Sequence, residues 1–204
     1  MKQSALSAVI LILLSIFFVS SDCFCGTKEE AEDAIRVMKK AIEEKNDPMR
    51  NRMYFKLRQI GSGAVAPLIE NLNDPNEDFA GYCGFVLGWI NDIKAVEPLI
   101  KKLNGSSNMK ISCCKALGNM AWGTPEKIRT YVVQKALDPI IKLLNDPDVR
   151  VRRDAAYSLG LMGEERAIAF LQQAEKDDDD LVKWFATEAI NRIKTTKELF
   201  LRDN

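Results

Sequence analysis

The chain has 204 residues, with Lys+Arg and Asp+Glu both at 29 and hydrophobic residues at 47%. That balance leaves no basic excess to attract a nucleic acid. The absence of histidine removes the commonest acid–base catalyst and the commonest metal ligand together.

Residues 1–26 read as a leader. Lys2 supplies a positive start, and Ala5–Val19 is an apolar or small stretch of 15 residues. A spanning helix needs roughly 20, so the stretch suits the core of a signal peptide. Val19 and Ser21 fit the small positions before a cut. Residues 1–21 are therefore expected to be a signal peptide, with cleavage possible up to residue 26. The mature protein would be secreted or periplasmic, with no stable membrane insertion. Retention of the segment would instead leave it membrane-anchored. Acidic Asp22 argues against lipid attachment at Cys23.

Thr27-x-x-Glu30 has the form of a capping box. Ala31, Ala34, Ile35, Met38, Ala41 and Ile42 then follow at the spacing of one helical face, which predicts a capping helix over 27–47. From Pro48 onward the sequence repeats. Helix ends recur at Leu57, Leu87, Leu117, Leu159 and Ile190, separated by 30, 30, 42 and 31 residues. Second helices recur at Pro67-Leu-Ile, Pro98-Leu-Ile, Pro139-Ile-Ile and Ala169-Phe-Leu. A period near 30 predicts stacked helical hairpins, each too small to bury both its faces alone. About four and a half such units fill 48–194, and 195–204 form a terminal cap or tail.

Proline lacks an N–H and fits only the first turn of a helix without loss, so the second helices are expected to begin near Ala64, Lys94 and Ala136. The long step in the third unit places an insertion within 121–134. Thr124-Pro125-Glu126 is a good helix start, so the insertion either lengthens the second helix or adds a short one before it.

The string Asp146-Pro-Asp-Val-Arg-Val-Arg-Arg-Asp-Ala-Ala-Tyr-Ser-Leu-Gly160 resembles the HEAT repeat, in the short form also found in phycobilisome-lyase-like proteins. The resemblance covers about Pro48–Lys194. It departs at the insertion and at Asn104-Gly105-Ser106, where other copies have Asp-Pro. It implies an all-α fold, an α-solenoid of antiparallel helix pairs. It also implies a role in binding other proteins, usually on a concave face lined by the second helices.

Candidate chemistry is sparse. Cys83 and Cys113 lie four residues before Leu87 and Leu117, a slot held by Ala155 and Ala186 elsewhere, and Cys114 aligns with Gly84 and Ala156. All three are expected to be buried and unbridged, acting as small hydrophobes. Asp177–Asp180 reads as a solvated turn that favours the start of the next helix rather than as a cation site. Arg152 and Lys183 share a slot from which the family's basic residue meets an Asp of the preceding turn. Asp146, Asp148 and Asp177–Asp180 are the candidate partners.

With Val96, Leu99, Ile100 and Leu103 inward, Glu97 and Lys101 must point out, as must Glu70, Asp138 and Lys142 in neighbouring units. These five form a mixed-charge ladder and, with Trp122 in the insertion, are the candidate protein-binding residues. The outer face of the first helices, represented by Arg153 and Glu188, is expected to tolerate charge reversal. The chain therefore reads as a non-enzymatic scaffold for another protein, with no cofactor, no metal and no nucleic-acid partner. The alternatives are a bilin-lyase-like enzyme, which the resemblance suggests, and a membrane-tethered structural protein.

Overall fold

The computed structural model describes residues 26–122 and 124–202, with side chains to residue 196. The expected leader over 1–21, together with Cys23 and Cys25, lies outside the described residues. Within them the chain is all-helical, an α-solenoid of stacked helix pairs without a strand.

Helix α1 (Lys28–Glu43) begins at the expected capping box: the Thr27 side chain accepts from Glu30 N–H and Glu30 reaches back to Thr27 N–H. Its buried stripe of Ala31, Ala34, Ile35, Met38 and Ala41 packs on α2 (Asp47–Ile60). Then come α3 (Val65–Glu70), α4 (Glu77–Ile90), α5 (Val96–Lys102), α6 (Ser107–Ala121), α7 (Glu126–Leu143), α8 (Val149–Met162), α9 (Ile168–Ala174) and α10 (Asp180–Arg202). First helices α4, α6, α8 and α10 pack side by side, and each second helix packs on the first helix that follows it.

The recurring leucines are the pegs of this stack: Leu57, Leu87, Leu117 and Leu159 are fully buried. Two first helices end in a left-handed residue, Asn91 (φ 60) and Gly163 (φ 70), types that adopt this conformation at low steric cost. A short 3-10 turn then leads into α3, α5 and α9. Pro67 and Pro98 fall in the first turns of α3 and α5, as expected.

In the third unit the insertion lengthens the second helix. Helix α7 starts at Glu126 rather than near Ala136, and Pro139 lies inside it. Its missing N–H leaves a gap in the backbone ladder that the other units avoid. The added turns are held by tertiary contacts: Val132 is buried, and Arg129 donates to the Met162 carbonyl at 3.0 Å and to Glu164 at 2.7 Å.

Close approach sets the spacing of the first helices. A Cβ on Gly88 would lie 2.5 Å from Ala116 Cα, and one on Gly160 would lie 2.9 Å from Ala189 Cα. Cys83, Cys113 and Cys114 occupy the same crowded seams, buried and free. Burial pushes the Cys83 thiol well above its ordinary value and those of Cys113 and Cys114 up to about 12.

The inter-repeat turns follow one plan. Asp74, Asp146 and Asp177 each accept from the backbone N–H two residues on, at 2.9 Å. Asn76, Asp148 and Asp179, the residues that donate those N–H groups, cap the next helix with their side chains. A basic residue of an earlier helix closes each turn: Lys39 on Asp74 at 2.6 Å, Lys110 on Asp146 at 2.7 Å, Arg152 on Asp177 at 2.8 Å. Arg152 thus ion-pairs with the turn that follows it, and gives the preceding turn only bonds to the Asp146 and Pro147 carbonyls. Lys183 binds Asp180, three residues before it. At the remaining joint, second in chain order, both partners are missing, since Ala80 takes the basic slot and Asn104-Gly105-Ser106 the turn.

Candidate functional site

Because α4, α6, α8 and α10 lie side by side, the residues two and five before each anchoring Leu or Ile project together on the face away from the second helices. The first slot holds Phe55, Phe85, Lys115, Tyr157 and Glu188; the second holds Arg52, Tyr82, Ser112, Asp154 and Phe185. Aromatic rings dominate on either side of α6. Phe85 lies 5.5 Å from both Tyr54 and Tyr82 and 6.3 Å from Trp89, centroid to centroid. Beyond α6, Tyr157 and Trp184 pack against Phe185 at 6.0 and 4.8 Å. Arg58 lies over the Tyr54 and Trp89 rings, and Arg50 over Tyr82.

Helix α6 contributes no ring here, only Asn108, Ile111, Ser112, Lys115 and Asn119, so two clefts open over it. One, of about 510 Å³, runs from Glu77 and Asp78 past Tyr82 and Phe85 to Arg150. The other, of about 460 Å³, lies between Phe85 and Trp89 on one side and Tyr157 and Phe185 on the other. They share Phe85, Lys115, Arg153 and Asp154.

Asp154 is the chemical centre of this surface. It stands in the slot of Tyr82 and Phe185, yet it is only 4% exposed. The close seam between α6 and α8, where Ser158 meets Gly118, draws it inward. Lys115 Nζ lies 3.2 Å from Oδ1 and Arg153 3.8 Å from Oδ2, and Oδ2 receives no hydrogen bond. The carboxylate therefore holds two half-exposed cations at the junction of the clefts. Arg153, expected to lie on an inert outer face, is instead part of this junction and lines both clefts; Glu188 is exposed.

The ladder residues occupy the second helices. Glu70, Glu97, Lys101, Asp138 and Lys142 are all exposed there. Two are already engaged across the stack. Glu97 accepts from Tyr131 at 3.2 Å and lies 3.6 Å from Lys135, both on the added part of α7. Asp138 accepts from Arg166 at 2.9 Å. Lys101 and Glu70 border separate shallow grooves of about 380 and 290 Å³. Trp122 is 54% exposed, with Arg192 stacked 5.1 Å from its ring.

The acidic run is spent on the fold: Asp177 binds Arg152, Asp179 caps α10 and Asp180 binds Lys183. Among the described residues no three His, Cys, Asp or Glu side chains converge on a metal position, and no helix is long and apolar enough to cross a membrane.

A family model described as HEAT repeats matches residues 126–191. No curated protein matches the sequence. Among solved structures, a chain of the CpcE–CpcF complex of phycocyanin lyase from Nostoc sp. PCC7120 is similar with a TM-score of 0.66. It is 20% identical over 77% of this chain and 98% of that one. A designed armadillo repeat protein in complex with the peptide (KR)4 has a TM-score of 0.57 at 18% identity, covering 89% of this chain and 92% of that one. Computationally designed armadillo repeat proteins for modular peptide recognition give 0.54 at 20% identity, over 80% and 82%. Sequence match and fold agree: residues 126–191 match HEAT repeats, and the described chain folds as an α-solenoid.

Proposed function

We propose that this protein is an exported, non-enzymatic helical-repeat scaffold that binds an extended segment of another protein in the clefts of its first-helix face. The observation that carries the reading is the pair of aromatic banks flanking α6. Phe55, Trp89, Tyr157 and Trp184 are between 36% and 60% exposed. Rigid aromatics of this kind supply much of the energy at protein interfaces. Similar folds were designed for modular peptide recognition, which supports a binding role for the architecture. The second-helix ladder is the competing surface, but Glu97 and Asp138 already have partners within the stack.

A lyase reading draws on the likeness to the phycocyanin lyase chain. It is disfavoured here because the three described thiols are buried and held protonated, a poor state for a nucleophile. Export rests on the apolar stretch Ala5–Val19 and the small residues that follow it.

Site-directed photocrosslinking tests the surface. A photoreactive phenylalanine at Phe55 or Tyr157, in the protein expressed in its own cells, is expected to capture a defined partner. The same probe at Lys101 or Lys142 is expected to capture none. Capture only from Lys101 and Lys142 would transfer the function to the ladder. The size of the recovered protein tests export, since removal of residues 1–21 shortens it.

A further inference from the structure

We infer that the partner segment is acidic as well as aromatic or apolar: carboxylate side chains meet Lys115 and Arg153 while neighbouring rings stack between Trp89 and Tyr157. This rests on the first-helix face being the binding surface and adds the chemistry of its occupant. At the junction of the clefts two cations face one carboxylate, and their accessibilities differ. The Asp154 side chain is 5% exposed, whereas those of Lys115 and Arg153 are 39% and 32% exposed. A ligand therefore meets the cations, with Asp154 behind them as the residue that holds them in place.

Three further facts fix the preference. Asp154 Oδ2 has no hydrogen-bond donor, so Arg153 is not consumed by the pair and keeps N–H groups free to reorient. Arg150, at the edge of the larger cleft, is spent on Asp148 at 2.7 Å, so the positive charge a ligand meets is that of Lys115 and Arg153, while Glu77 and Asp78 stand at the far end. The walls are aromatic at the junction itself, where Phe85, Trp89, Tyr157 and Phe185 enclose Lys115 and Arg153. Apolar walls limit solvent screening, so a carboxylate placed there gains more from the two cations than it would on open surface. A basic segment would have to approach exposed positive charge to reach a shielded negative one.

The test measures affinity of the protein for three synthetic peptides, (Glu-Phe-Ser)4, (Lys-Phe-Ser)4 and (Glu-Ala-Ser)4, by calorimetry and by tryptophan fluorescence. The first is expected to bind at least about tenfold more tightly than either other, a difference of about 1.4 kcal/mol. Its advantage over the Lys peptide should shrink with added salt. Lys115→Gln, Arg153→Gln and Asp154→Asn together remove the charges without leaving a buried ion unpaired. This variant should lose the preference while keeping the melting temperature near that of the parent. Binding of (Lys-Phe-Ser)4 as tightly as the acidic peptide would overturn the inference. If Trp89→Ala with Tyr157→Ala abolished that binding, the groove would stand and only its charge preference would fall. No binding by any of the three also overturns the inference, and leaves the binding face to the crosslinking result.

Discussion

Arg152 reaches past its own repeat to grip Asp177, its guanidinium donating to both carboxylate oxygens at 2.8 and 2.9 Å. The same Asp177 carboxylate accepts from Asp179 N–H, so one side chain joins a first helix, a turn and the start of the next first helix. Asp177→Asn removes the charged pair and should cost on the order of 1–2 kcal/mol. Thermal denaturation of the variant and of Arg152→Met, with their double mutant, measures it. Independent effects in that cycle would show that the pair is not a unit.

The turns also set an acid limit. Hydrogen bonds from Lys39 and Arg152 hold Asp74 and Asp177 below their ordinary value of 3.8. A depressed carboxylate contributes stability above its unfolded pKa and loses it as pH falls through the folded value. Stability should therefore be level from neutral pH to about 4 and decline below that. Urea titrations across this range check it; Asp74→Asn with Asp177→Asn should flatten the decline.

Two glycines one turn apart should respond in opposite ways to alanine. At Gly88 the new Cβ would meet Ala116 backbone at 2.5 Å, so the helices must separate and a loss of about 1–3 kcal/mol is expected. At Gly84 the nearest atoms are 3.6 Å away, ordinary contact. There the higher helix propensity of alanine should leave stability unchanged or raise it by up to about 1 kcal/mol.

The buried thiols should be silent in the native state. With Cys23 and Cys25 replaced by Ser, a thiol reagent at neutral pH should label none of Cys83, Cys113 and Cys114 until denaturant is added, and then all three. Fewer than three labels after unfolding would reveal a bridge. Cys113→Ala should cost less than about 1.5 kcal/mol, since Ala155 and Ala186 fill the same slot.

Reversing Glu97, Lys101, Asp138 and Lys142 together should change stability by less than about 1 kcal/mol, because these charges are exposed and their pairs screened. If the first-helix clefts are the binding face, partner capture should survive as well. Loss of capture in a folded variant would return the function to the second helices.

The repeat was legible because it rests on buried periodicity: Leu57, Leu87, Leu117 and Leu159 align by counting, and the small-residue slots align with them. Thr27–Glu30 was legible because a capping box is local. Pro139 misled because proline marks a first turn only when nothing upstream extends the helix, and Val132 and Arg129 supply that extension through contacts made far along the chain. The clefts were missed for a different reason. Register was used to sort residues into buried and exposed, and the exposed first-helix slots were taken as inert. The slot five before each anchoring Leu or Ile holds Arg52, Tyr82, Ser112, Asp154 and Phe185 in line, an acid beside aromatic rings.

The joint without an ion pair gives the stack a mechanical asymmetry. Near one end of the contact between α4 and α6, Gly88 leaves no room for a side chain against the Ala116 backbone. Toward the other end Ala80 has nothing to grip at Asn104, and the joint is closed by Ser106 on Glu77 at 2.9 Å and Lys102 on Asn73 at 2.8 Å, both exposed. The larger cleft opens beside that weaker end. The rim of that cleft is therefore tied by exposed hydrogen bonds alone, which water can replace at small net cost. Amides around Gly105–Met109 should then exchange faster than those around Asp146–Val151, and slow most when a ligand closes the gap.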